Sequence, residues 1–223
     1  MRVGFDASAD QPFTGDLDRY LDVVGAVIGT DDRMIAASYG FQTVTSRIAG
    51  VTVAGALALG ISPAVTFGRL RWRELPDGYG VAVGVTPDDL VPTTPAQAIT
   101  RYAEAVAAWS TAMRATTRIA ERLLWGDAAA SLAGVLRRCT WAGLVPAERA
   151  TVLLAQFQAS APSPALVEPV TIDGHPTFRR ATCCLLTKAG GLGMCEECSL
   201  LSAERFADGQ RRVRAAFERH AKV

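Results

Sequence analysis

Four of the chain's five cysteines fall within sixteen residues, in the order Cys183-Cys184-x10-Cys195-x2-Cys198. Thiols this close in sequence have three ordinary uses: disulfides, a zinc site or an iron–sulfur group. Disulfides suit the pattern badly. The neighbours Cys183 and Cys184 bridge to each other only with strain. The first residues, Met1 to Asp6, also lack the apolar stretch of a secretory signal, so the expected compartment is reducing. Structural zinc commonly takes two C-x2-C knuckles, and here only Cys195–Cys198 has that spacing. A [2Fe–2S] group takes two thiolates on each of two irons, and its length tolerates irregular spacing. Spacing alone leaves zinc and iron–sulfur open.

The neighbouring residues bear on the same choice. Gly190, Gly191 and Gly193 lie in the spacer, where glycine lets backbone N–H groups fold close to sulfur. Arg179, Arg180 and Lys188 flank the thiols and would offset the negative charge of a thiolate-ligated centre. Glu196 and Glu197, inside the C-x2-C, act in the opposite sense if exposed. Gly190-Gly-Leu-Gly193 does not lie between a strand and a helix, so it does not read as a nucleotide-binding loop. With two histidines in 223 residues, neither near a serine or cysteine partner, a hydrolytic triad is disfavoured.

Apolar residues make up 49% of the chain, enough for a buried core. The net charge of +1 argues against non-specific nucleic-acid binding. Charge is uneven: residues 178–223 carry nine Lys/Arg and five Asp/Glu, a net of +4, against −3 for the rest. The most apolar run, residues 48–61, is too short to span a bilayer. The reading is a cytoplasmic protein with no transmembrane segment, compatible with peripheral membrane contact.

Apolar periodicity predicts helices over residues 15–28, capped by Thr14, and 31–59, broken near Gly40 or Gly50. In the latter, Gly50, Ala54, Gly55 and Ala58 would admit a close neighbouring helix. A further helical region runs from Thr94 or Pro95 to about Trp141 as two separate helices, with the bend near Gly126 or Thr116–Thr117. Helices follow at 147–159 and at 201–221, the last capped by Ser202. Alternation predicts a hairpin from 64–74 and 79–85 around Pro76-Asp-Gly-Tyr79, then a proline-rich link at 87–95. A second hairpin over 167–178 turns at Asp173-Gly174, and residues 1–8 add an edge strand. The fold class is α+β: a mainly helical body with short antiparallel strands and hairpins, and a C-terminal metal-binding segment. Residues 1–165 form the body and 166–223 the second hairpin, the cysteine segment and the final helix.

Cys139 lies on a core stripe and reads as a packed thiol; His175 reads as a surface side chain. Arg205, Arg211, Arg212, Arg214 and Arg219 make the last helix basic: either a solvated face or a docking surface for an acidic electron donor.

The cysteine pattern near the C-terminus, preceded by a basic stretch, resembles that of the FhuF-like siderophore ferric-iron reductases. The run from Arg118 through Leu124-Trp125-Gly126-Asp127, Ser131 and Gly134 resembles the helix that in this family reads LWGN-x-A-S-x-L-x-G. The likeness extends from about the middle helices onward and is most specific at the cysteines. Two positions depart from the pattern: Glu196 where glycine is common, and Asp127 where asparagine is common. The resemblance implies a [2Fe–2S] cluster with Cys183, Cys184, Cys195 and Cys198 as ligands. It implies one-electron reduction of a ferric siderophore, with a ferredoxin or an NAD(P)H-dependent reductase as donor. The siderophore would face the helical and hairpin body, with Arg47, Trp72 and Arg122 as candidate contacts. Two rivals use the same cysteines: a non-catalytic [2Fe–2S] electron carrier or redox sensor, and a zinc-stapled binding protein.

Overall fold

The computed structural model describes residues 11–12, 16–75, 81–84, 90–189 and 194–220. Helix α1 (Leu17–Ile28) starts where the Asp16 carboxylate accepts the Arg19 N–H, filling one of the orphan donors of the first turn. Asp16, rather than Thr14, is the cap; Thr14 lies outside the described residues. Helix α2 (Arg33–Ala49) is capped in the same way by Asp32. It passes through a π-helical turn at Gly50–Ala54 into α3 (Gly55–Leu59). The break falls near Gly50, one of the two expected places. Gly40 instead lies inside α2, where its carbonyl accepts the Tyr20 hydroxyl at 2.8 Å. This stretch packs against α4 and α5, though the two glycines are not the points of contact: a side chain at Gly55 would meet the Ile61 carbonyl, and one at Gly50 would meet nothing.

Helix α4 (Pro95–Thr116) opens on a capping box between Thr94 and Gln97 with Pro95 in its first turn. Helices α5 (Glu121–Trp141) and α6 (Ala147–Ala159) follow. The two separate helices expected here are present, divided after Thr116 rather than at Gly126, which is interior to α5. Helix α7 (Ala203–His220) closes the described chain, with the Ser202 hydroxyl accepting the Arg205 N–H as a cap does.

The strands are short and antiparallel. β3 (Arg71–Glu74) pairs with β1 (Gln11–Pro12) on one side and β4 (Val81–Gly84) on the other. The first hairpin is thus present but shorter than expected, because Phe67–Arg69 is a 3-10 turn. Its connecting turn at 76–80, and the edge strand expected at 1–8, lie outside the described residues. β2 (Ile61–Pro63) pairs with β5 (Leu90–Pro92), a pairing not foreseen. β6 (Val167–Ile172) and β7 (His175–Arg180) form the second hairpin. Asp173 and Gly174 both take positive φ, 50° and 77°, as a two-residue primed turn requires.

The body is α+β and mainly helical. α2, α4 and α5 pack together, with α1 and α6 against them. Their interface holds Tyr20, Phe41, Tyr102, Trp109, Trp125 and Phe157, all buried; Trp109 stacks on Phe41 at 6.1 Å between ring centres. Cys139 is part of this core, and burial pushes its thiol above the usual range. No helix among the described residues is long and apolar enough to cross a membrane.

Candidate metal centre

Helix α5 is the platform on which the cysteine segment rests, and it meets the segment at two places. The first is at Gly126. A side chain here would lie 1.9 Å from Thr182 Oγ1 and 2.9 Å from Thr182 Cβ, so only glycine lets the chain entering Cys183 press onto the helix. One residue on, Asp127 is fully buried and pairs with Arg180, itself 3% exposed. The Ser38 hydroxyl, from α2, lies 2.8 Å from Asp127 Oδ2 and 2.7 Å from the Cys184 carbonyl oxygen. Burial pushes the Asp127 carboxyl up to about 7, with Arg180 and the Ser38 hydroxyl pulling it back. Burial also works against the charge of Arg180, but Asp127 and Cys184 more than offset it and keep the guanidinium protonated.

The second meeting place is about three turns along α5. Arg137, 3% exposed, reaches Glu197, the second residue between Cys195 and Cys198, at 2.7 Å. The same guanidinium donates to Gln210 Oε1 at 2.6 Å and to Thr177 Oγ1 at 3.3 Å. Gln210, on α7, returns a bond from its amide nitrogen to the Glu196 carbonyl at 3.1 Å. Gly209 leaves room for Glu196: a Cβ there would approach it to 3.0 Å. The C-x2-C closes as a tight turn, with the Cys198 N–H bonded to the Cys195 carbonyl at 3.0 Å. Cys198 packs with Leu201 and Phe206.

Between these anchors Cys184 and Cys195 come within hydrogen-bonding reach. The Cys184 thiol is pulled well below the usual thiol range, first by the bond from the Cys195 thiol, then by Arg180 and the Leu186 N–H, against an opposing push from burial. The same bond pushes Cys195 up, burial adds to that, and the Glu197 N–H pulls the other way. Leu185, between Cys184 and the Leu186 N–H, takes a left-handed φ of 61°, a conformation that a branched side chain rarely adopts. Cys184 and Cys198 are buried; Cys183 and Cys195 are half-buried.

This donor set fits a thiolate-bound iron–sulfur group in chemistry. Backbone N–H groups turn towards the Cys184 and Cys195 sulfurs, as they do around cluster ligands. Thr182 Oγ1 and the Nε and Nη1 of Arg180 are buried without a hydrogen-bond partner among the described residues. Among the described residues no three or more His, Cys, Asp and Glu side chains gather as a metal-holding group. The spacer glycines Gly190, Gly191 and Gly193 lie outside the described residues.

Cys195 also reaches the surface. An open cleft of about 500 Å³ lies over it, lined by Thr187, Met194, Glu196 and Leu201 together with Arg205, Asp208 and Arg212 of α7. None of the three expected siderophore contacts lines this cleft. Trp72 is 2% exposed and packs edge-on against Tyr20 at 5.3 Å, so it is a core residue. Arg47 lies on the exposed side of α2, donating to the Thr43 carbonyl at 3.3 Å, and Arg122 is exposed in the first turn of α5. His175 is exposed, as anticipated. Sequence reasoning missed Ser38, Arg137 and Gln210 altogether. It noted Asp127 only as a departure from a pattern. The available signal was a charged residue, Asp127 or Arg137, set directly against the apolar stripe of a long helix. Comparison with protein-family models, with curated proteins and with solved structures found no match to this chain.

Proposed function

We propose that the chain is a cytoplasmic ferric-siderophore reductase, with Cys183, Cys184, Cys195 and Cys198 as the ligands of a [2Fe–2S] group. The observation that carries this reading is the convergence of both cysteine pairs on α5. There each pair is tied by an arginine–carboxylate contact, Asp127–Arg180 or Arg137–Glu197, and N–H donors face the sulfurs of Cys184 and Cys195. When bound, the group supplies a one-electron couple. The protein's own part would be to bring the four thiols together around it and place positive charge beside them. Arg180 keeps its charge and sits against Cys184, which favours the thiolate form a metal needs. Asp127 and Ser38 fix the orientation of Arg180 and of the Cys184 backbone.

The substrate chemistry follows from hard–soft preference. Siderophores offer hard oxygen donors, which hold Fe(III) far more tightly than Fe(II). Transfer of one electron converts Fe(III) to Fe(II) and loosens the chelate; no bond from the protein to the iron is required. The electron lost is replaced by a one-electron donor, a ferredoxin or an NAD(P)H-dependent reductase.

The test is stoichiometric reoxidation. The protein is reduced without oxygen and mixed with ferric siderophores of hydroxamate and catecholate type, with an Fe(II) trap present. One Fe(II) should appear for each electron the protein loses. Reversible reduction with no reoxidation by any chelate would move the assignment to an electron carrier or sensor. A colourless protein holding about one zinc per chain would make it a zinc-stapled binding protein.

A further inference from the structure

The cleft over Cys195 is wide enough for a small molecule and lies where a thiol of the proposed centre approaches solvent. One face of α7 lines it: Arg205, Asp208 and Arg212 fall at i, i+3 and i+7, which a helix aligns on one side. Their charges are not equivalent. Asp208 is engaged by Arg211 at 2.7 Å. Among the described residues Arg205 and Arg212 have no carboxylate within salt-bridge distance, whereas Arg211 and Arg214 do. Glu196 also lines the cleft, packed against Gly209 of α7. Met194, 42% exposed, and Leu201 supply apolar surface beside the two arginines. An open, partly apolar cleft with two uncommitted guanidiniums is suited to a ligand that carries anionic oxygens on an organic frame.

We propose that this cleft is the docking site of the substrate, that Arg205 and Arg212 recognise its anionic oxygens, and that the chelates it takes best are negatively charged ones. The proposal rests on the reductase reading for the identity of the ligand as a ferric chelate. It places the chelated iron beside Cys195, so that the single electron leaving the reduced protein enters Fe(III) to give Fe(II) without crossing the helical body. Glu196 and Asp208 set the charge limit on the other side, since a cationic chelate would find only these two carboxylates and two repelling arginines.

Gallium(III) complexes test docking apart from reduction, because gallium accepts no electron under these conditions. The holoprotein is titrated calorimetrically with two probes: a gallium tris-catecholate, with a net charge of about −3 at its metal core, and a gallium tris-hydroxamate, with a core near zero. The tris-catecholate should bind more tightly than the tris-hydroxamate. The double variant Arg205→Gln/Arg212→Gln should weaken tris-catecholate binding by at least about tenfold. Arg205→Lys/Arg212→Lys should retain part of that affinity. Both side chains are exposed, so an unchanged visible spectrum and thermal midpoint would show each variant folded and loaded. Equal affinity in wild type and the glutamine variant, equal affinity for the two probes, or no binding of either would overturn the proposal. If ferric chelates reoxidise the reduced protein while the gallium complexes do not bind, the docking site fails and the reductase reading stands. If the gallium tris-catecholate binds through the arginines and ferric chelates accept no electron, the site stands and the reductase reading fails.

Discussion

The two cysteine pairs rest on one helix by contacts of opposite sense. At Cys183–Cys184 the helix supplies the acid, Asp127, and the segment supplies the arginine, Arg180; both are sealed from water. At Cys195–Cys198 the helix supplies the arginine, Arg137, and the segment supplies the acid, Glu197, whose side chain is 24% exposed. Arg137 also has Gln210 and Thr177, while Asp127 and Arg180 lean mainly on each other and on Ser38. The first pair is therefore held by a dry contact with little redundancy, the second by a wetter network with spare partners. Rigidity and shielding belong to the first half, and access to solvent, through the cleft at Cys195, belongs to the second.

Substitutions can break this contrast, and their expected effects run from large to small. Cys184→Ser should abolish or strongly destabilise the proposed [2Fe–2S] centre; an unchanged visible spectrum would remove Cys184 from the ligand set. Asp127→Ala leaves Arg180 charged and buried without its partner, which costs about 3–5 kcal/mol in a denaturant titration. Gly126→Ala drives a methyl group into Thr182 and should cost about 1–3 kcal/mol. Adding Thr182→Gly should recover part of that loss, and failure to do so would mean that the close approach is not the cause. Glu197→Ala leaves Arg137 with two hydrogen-bond partners, so the loss should be about 1–2 kcal/mol. Equal losses from Asp127→Ala and Glu197→Ala would erase the distinction between a dry and a wet anchor. Arg47→Ala, on the exposed side of α2, should change stability by no more than about 0.5 kcal/mol and leave the proposed ferric-chelate reduction intact.

Much of the helical body was legible because its helices bury one continuous stripe. Ile99, Tyr102, Val106, Trp109 and Met113 recur at helical spacing and are all buried, and α6 runs from Ala147 to Ala159, as its periodicity indicates. The hairpin at Asp173-Gly174 was readable because its turn needs residues that tolerate positive φ. The β2–β5 pairing was not, since strands of three residues that each contain a proline carry no alternation signal. Trp72 misled for a different reason. Arginines alternate with it in β3, but alternation says only that two faces differ, and the Trp72 face is the one turned to the core. The anchors on α5 were hidden because their partners, Arg180 and Glu197, lie 53 and 60 positions further along the chain. A charged residue beside an apolar stripe looks like a surface position until the fold brings its counter-charge to it. The cysteines stood out by spacing alone, whereas the residues that hold them became visible only in three dimensions.

The central claim is that these four thiols bind one two-iron group. Its most direct test is metal and sulfide analysis of the anaerobically purified protein, with electron paramagnetic resonance before and after reduction. The account requires about two iron and two acid-labile sulfide per chain, silent when oxidised and giving a single spin one-half signal when reduced. Zinc at about one per chain with no sulfide, or iron and sulfide retained at full stoichiometry in Cys184→Ser, would contradict it.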